Sequence, residues 1–119
     1  MNGGISIHVV DVASGRVAEG LQVRLERLDG SRRELVCEGR VGGNGLLPGL
    51  DACKAQCSAG VYEASLQVAA FYRAQGLALP AVPFLDELVY RFGVGDTAQH
   101  YHLPFKLTAW GVSCFRGGA

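Results

Sequence analysis

The chain has 119 residues, 49% of them hydrophobic, which suits a single domain over residues 1–119 with one packed core. Lysine plus arginine and aspartate plus glutamate balance at 11 each, so there is no electrostatic reason to bind nucleic acid or an anionic membrane. No apolar run approaches the length of a membrane span, and no basic segment leading into an apolar stretch marks a secretory signal, so the expected location is the cytoplasm.

Alternation with period two dominates from the start of the chain. In "ISIHVVD", Ile5, Ile7 and Val9 share one face, and Ser6, His8 and Val10 the other. The turn signal "ASGR" leads to "GLQVRLERL", where Leu21, Val23 and Leu25 alternate with Gln22, Arg24 and Glu26. "LDGS" is a turn, "RELVCEG" a third strand and "GGNG" the next turn. "VYEASLQV" alternates again. "LQVAAFYRAQGL", from Leu66 to Leu77, has the alanines and the terminal Gly76 of a short helix. "LALPAVPFL" carries Pro80 and Pro83 and reads as a loop or edge segment. "ELVYRF", "HYHLPFKL" and, after the turn at "TAWG", "WGVSCFRG" complete the series. Short strands at this spacing predict an all-β, two-sheet antiparallel sandwich with one short helix. Gly3, Gly4 and the last residues are expected to be disordered.

There are four cysteines, Cys37, Cys53, Cys57 and Cys114. The spacing of Cys53 and Cys57 is poor for zinc and lacks a second ligand pair, so the expectation is four reduced thiols and no metal. Histidine is scarce: His8, His100 and His102 only. His100 and His102 flank Tyr101 and point to one face of their strand, and His8 projects away from the apolar face of the first. On the residues alone two readings stay open. These are surface histidines, or their faces converge on one pocket where imidazole moves a proton or holds a water. Alternation puts Pro104, Lys106 and Thr108 on the face of His102. Lys106 is then either an edge lysine that discourages aggregation or a cation facing the same space. Ser113, Phe115 and Gly117 line up on one face, Cys114 and Arg116 on the other. Neither Ser113 nor Cys114 has the local signature of an activated nucleophile.

These segments carry a resemblance. "ISIHVVDVASGRVAEGLQVRLERL", "VYEASLQVAAFY" and "HYHLPFKLTAWGVSCFRGG" are similar, in order and over nearly the whole chain, to the transthyretin-like 5-hydroxyisourate hydrolases. The resemblance implies a transthyretin-like sandwich assembled as a homotetramer, a dimer of dimers, with active sites in the channel between dimers. It implies hydrolysis of an oxidised purine ring without a cofactor, by two histidines, an arginine and a terminal serine. His8 and His102 match the histidines. The arginine of the family's Asp-Gly-Arg falls on Leu46 of "NGL", and the serine of its closing Tyr-Arg-Gly-Ser falls on Gly118 of "FRGG". The spacing from His8 to Leu46 fits without a gap, and Arg40 reaches the site only if the loop is rebuilt.

The expectation is therefore a diverged enzyme that opens or rearranges a small polar heterocyclic, lactam or lactone-like ring. His8, His102 and Lys106 are the expected catalytic groups. His100, at the channel's rim, and Leu46, Ser113, Phe115, Arg116 and Gly118 are the expected substrate contacts. Lys106 would restore one positive charge near His102, without the forked geometry of an arginine. The alternatives are a weak 5-hydroxyisourate hydrolase and, as in transthyretin, a channel that binds an apolar ligand.

Overall fold

A computed structural model describes residues 3–53 and 57–118. The strands are β1 (Ile5–Asp11), β2 (Arg16–Val17), β3 (Gln22–Asp29), β4 (Arg32–Arg40), β5 (Gly60–Gln67), β6 (Glu87–Val94), β7 (Tyr101–Thr108) and β8 (Gly111–Ser113). A single helical turn, α1 (Leu50–Cys53), precedes β5, and the helix α2 (Val68–Ala74) follows it. Two four-stranded sheets form, in the orders β2-β1-β7-β8 and β4-β3-β5-β6. The alternation read from the sequence becomes the sandwich. Ile5, Ile7 and Val9 from β1 and Leu103, Phe105 and Leu107 from β7 meet Val23, Leu25, Tyr62, Ala64 and Leu66 in the core. Fully burying each large apolar side chain contributes roughly 1.5–3 kcal/mol.

Pairing is antiparallel except between β1 and β7, which run parallel with Ser6 opposite His102 and His8 opposite Pro104. Paired residues point to the same side of a sheet, so this register stacks the two histidine-bearing faces. Pro104 has no N–H to give to a ladder. It is tolerated because β8 pairs only with Lys106 to Thr108 and leaves that edge of β7 uncovered at Pro104.

The helix starts two residues later than the sequence predicts, because Leu66 and Gln67 are held in β5 against Val23, Leu88 and Glu87. It ends as expected at Gly76, with Leu77 N–H bonded to Tyr72 O at 3.0 Å and Gly76 N–H to Arg73 O at 3.0 Å. Tyr72 Oη donates to Asp11 Oδ1 at 2.7 Å and ties α2 to the end of β1.

Three expectations need correction. Gly3 and Gly4 are not disordered: Gly3 N–H donates to Thr97 O at 2.8 Å, and Gly4 O accepts from Tyr101 N–H at 2.9 Å. The C-terminal glycines are also held, Gly117 bonding His102 in both directions at 2.7 and 3.0 Å; Ala119 lies outside the described residues. The final strand stops at Ser113 rather than running on unbroken to Gly117, because the register that pairs Lys106 with Ser113 puts Pro104, which has no N–H to give, opposite Phe115, and it resumes only at the His102–Gly117 bridge. Arg116 stacks on Tyr101, 4.1 Å from its ring centroid. No helix among the described residues is long and apolar enough to cross a membrane.

Candidate active face

The outer face of the β2-β1-β7-β8 sheet gathers the histidines. The rings of His8 and His102 lie 6.5 Å apart, tilted by 43°. His100 and His102 are joined through a residue the sequence analysis assigned no role: Ser6 Oγ lies 2.8 Å from His100 Nε2 and 2.6 Å from His102 Nδ1. Alternation does place Ser6 on the face of His8. Its partners, 94 and 96 residues away, have no local signature. His100 is also held from its other nitrogen, its Nδ1 reaching Gly3 O at 2.7 Å.

The loop after β4 closes one side. Leu46 forms a bridge with His8, held by Val9 N–H to Gly45 O at 2.9 Å and Leu47 N–H to Ile7 O at 3.0 Å. Asn44 Oδ1 accepts the Leu46 N–H at 3.0 Å, a second contact that the sequence did not single out. Gly45 is required here twice over: its φ is +82°, and a Cβ would fall 2.3 Å from His8 Nε2. A cavity of about 190 Å³ opens beside Ser6 and Leu46, with Asn44 and Asp51 among its lining residues. The C-terminal segment closes the other side. Gly117 bridges His102, and a Cβ on Gly118 would lie 3.2 Å from His102 Cβ.

The remaining expected residues separate into two groups. Lys106 shares the face but sits four residues beyond His102, about 13 Å along the strand. Its Nζ lies 5.8 Å from the Phe115 ring centroid, so the structure places its charge over an aromatic ring rather than against the histidines. Ser113 is exposed opposite Lys106, and Phe115 is 52% exposed. Arg116 turns to the opposite side, where its Nη2 donates to Gln99 Oε1 at 3.0 Å and His100 O at 3.2 Å. Those bonds and the Tyr101 ring occupy the guanidinium, so it is no contact of the histidine face. Arg40 donates to Gly20 O at 3.1 Å and lines a separate cleft with Gln67, Phe71 and Gln75, so it does not replace the arginine.

Electrostatics favour neutral imidazole at the centre. Burial, followed by repulsion from His8 and His100, holds His102 below its ordinary 6.5. A neutral histidine near physiological pH accepts a proton. Elsewhere, Cys37 Sγ donates to Pro48 O at 3.4 Å and Cys53 Sγ to Val36 O at 2.9 Å, as reduced thiols do. No group of three or more His, Cys, Asp or Glu among the described residues is arranged to hold a metal ion.

Residues 5–117 match the model of the HIUase/Transthyretin family. The chain is 35% identical over 116 residues to "5-hydroxyisourate hydrolase 2" of Rhizobium meliloti, covering 98% of this chain and 97% of that one. It is 36% identical over 114 residues to the 5-hydroxyisourate hydrolase of Deinococcus radiodurans, covering 96% and 95%. Among solved structures, the 5-hydroxyisourate hydrolase of Klebsiella pneumoniae superposes with a TM-score of 0.77 at 28% identity, covering 97% and 99%. An (S)-allantoin synthase superposes with a TM-score of 0.89 at 29% identity, over 98% of this chain but 44% of the synthase. With the sandwich, the histidine pair and these matches in agreement, the chain belongs to the HIUase/Transthyretin family.

Proposed function

We propose that this protein is an enzyme that opens or rearranges a small polar heterocyclic, lactam or lactone-like ring, with 5-hydroxyisourate at best a poor substrate. One observation carries the reading. The His8–His102 pair is intact at 6.5 Å, while Leu46 stands beside His8 and Gly118 beside His102, where the family pattern has arginine and serine. A pure binder has no need of the pair. Water attacks a ring carbonyl as His102 takes its proton, and the ring bond to nitrogen or oxygen breaks as that atom receives a proton through His8. Proton transfer of this kind contributes about a hundredfold to ten-thousandfold and needs no cofactor. Lys106 is a cation on the same face, suited to an anionic substituent rather than to forked contact with a planar ring.

The face is open in one chain, with Leu46 37% and Phe115 52% exposed. A homotetramer built as a dimer of dimers closes such faces into a channel, and the exposed apolar walls support that assembly. The reduced thiols favour a reducing compartment such as the cytoplasm. A second reading, a slow 5-hydroxyisourate hydrolase, draws on the names of the relatives.

The test is a panel of cyclic ureides, lactams and lactones, with 5-hydroxyisourate included, assayed on the natural protein and on His8→Ala and His102→Ala. Light scattering on each sample reports the assembly. The reading expects at least one ring opened faster than 5-hydroxyisourate, with that activity lost in both variants while the tetramer persists. A panel on which no histidine-dependent opening occurs leaves the apolar-ligand channel in its place.

A further inference from the structure

The hydrogen bonds around His102 form a directed chain whose polarity can be deduced. A carbonyl oxygen only accepts, so the 2.7 Å contact between His100 Nδ1 and Gly3 O puts a proton on that Nδ1. A neutral His100 then has a bare Nε2, which must accept from the Ser6 hydroxyl at 2.8 Å. Ser6 has one proton and has used it, so at 2.6 Å its oxygen accepts from His102 Nδ1–H. Neutral His102 is left with a bare Nε2, on the side of the ring away from Ser6 and without a hydrogen bond among the described residues. The chain is anchored by tight backbone packing: a Cβ at Gly3 would fall 2.1 Å from the Gln99 carbonyl carbon.

We infer that Ser6 and His100 are positioning residues, relaying the Gly3 carbonyl to His102 so that neutral His102 keeps its proton on Nδ1 and offers its Nε2 lone pair to the substrate. Free imidazole favours the opposite tautomer, and a general base in the wrong tautomer presents N–H where a lone pair is needed. The inference rests on the reading of His102 as a proton acceptor. A second proton on His100 reverses the chain: His100 Nε2 donates to Ser6, Ser6 donates to His102 Nδ1, and His102 holds its proton on Nε2. The other charged or titratable groups around the relay are His8 on β1, Asp51 on the cavity beside Ser6, Lys106 further along β7, and Arg116, which donates to the His100 carbonyl.

The experiment uses the full chain with isotope-labelled histidine ring nitrogens, read by NMR at about pH 8, where histidine is neutral. The natural protein should show Nδ1–H tautomers for both His100 and His102. Ser6→Ala should move His102 toward Nε2–H, Ser6→Thr should keep the natural tautomer, and His100→Phe should shift it as Ser6→Ala does. With freshly generated 5-hydroxyisourate as the probe, Ser6→Ala should lower kcat about tenfold to a hundredfold with little change in KM. Ser6→Thr should retain most of the rate. An unchanged His102 tautomer in folded Ser6→Ala and His100→Phe overturns the relay, whatever the activity. A changed tautomer with full Ser6→Ala activity overturns its role when His102→Ala is inactive. If His102→Ala is also fully active, the reading of His102 as the base fails instead, while the relay itself stands.

Discussion

The outer faces of the two sheets handle their polar residues in opposite ways. On the β4-β3-β5-β6 sheet the charges neutralise one another. Glu63, 5% exposed, accepts from Arg33 Nη1 at 2.8 Å and from Arg91 Nε and Nη2 at 2.8 and 2.6 Å. Arg33 also reaches Glu26 at 3.3 Å, which relieves the like-charge pairing of Glu26 directly opposite Glu63. On the β2-β1-β7-β8 sheet the polar groups are organised on one side only. Ser6 gathers His100 and His102, yet His102 Nε2 and Lys106 Nζ make no hydrogen bond among the described residues, with Leu46 and Phe115 exposed beside them. The first face is a finished surface. The second has its supporting bonds in place and leaves His102 Nε2 without a hydrogen bond among the described residues.

The sharpest way to break this comparison is to substitute the central residue of each face. His102→Ala should lower turnover of 5-hydroxyisourate by about a hundredfold to ten-thousandfold. Its melting temperature should change little, because the ring lies outside the apolar core. Glu63→Gln should do the reverse, lowering Tm by roughly 5 °C as charge-assisted bonds to two arginines weaken, with turnover unchanged. A large Tm loss in His102→Ala, or a large rate loss in Glu63→Gln, would show that the faces are not separate in function.

Acid should separate the faces by pH. Folding lowers His102 from 6.5 through burial and the neighbouring histidines, so the unfolded chain takes up that proton first. Its contribution is complete above 6.5 and is lost as pH falls through the lower folded value, and turnover should follow with an acid limb below 6.5. Hydrogen bonds from Arg33 and Arg91 hold Glu63 below its ordinary 4.5, so its contribution is complete above 4.5 and lost only at lower pH. Melting curves from pH 8 to pH 3 should show two successive losses, and His102→Ala should remove only the first. A single loss that both variants share would contradict this assignment. The smallest expected effect is that of Lys106→Leu, a change of no more than about threefold on 5-hydroxyisourate, since the ammonium rests over Phe115 about 13 Å along the strand from His102. A hundredfold loss would return Lys106 to the centre of the site.

What was legible in the sequence follows from the range of the interactions. Alternation is local, so the faces of β1, β3, β5 and β7 and the outward direction of His8 and His102 could be read directly. The two-residue strand β2 could not, because Arg16 and Val17 are a strand only where they meet Asp11 and Val10. Arg116 was set apart from Ser113 and Phe115 by alternation but was still assigned to substrate. Its bonds to Gln99 and His100 depend on the register that sets Ser113 against Lys106 and Gly117 against His102, which alternation along one strand does not give. The convergence of His8 and His102 rests on parallel pairing between the two ends of the chain. No spacing predicts that pairing; from the residues alone convergence was one of two open readings, and the family resemblance, which matches both histidines to one catalytic set, favoured it. Ser6 escaped for the same reason, being an ordinary strand serine until β7 lies beside it.

The central claim is that this face keeps the family's histidines but has changed the substrate they serve. Losing one oriented donor from such a site typically costs about a hundredfold to a thousandfold in rate. The decisive measurement is the rate of hydrolysis of freshly generated 5-hydroxyisourate, followed spectrophotometrically, for the natural protein, the double variant Leu46→Arg with Gly118→Ser, and the Rhizobium meliloti relative. Gly118 has φ +58° and little space before His102 Cβ, so the serine will be accommodated with some strain and the recovery will be partial. The account predicts a natural rate at least a hundredfold below that of the relative, and a clear rise in the double variant. A natural rate equal to the relative's would contradict the account and assign this face to 5-hydroxyisourate after all.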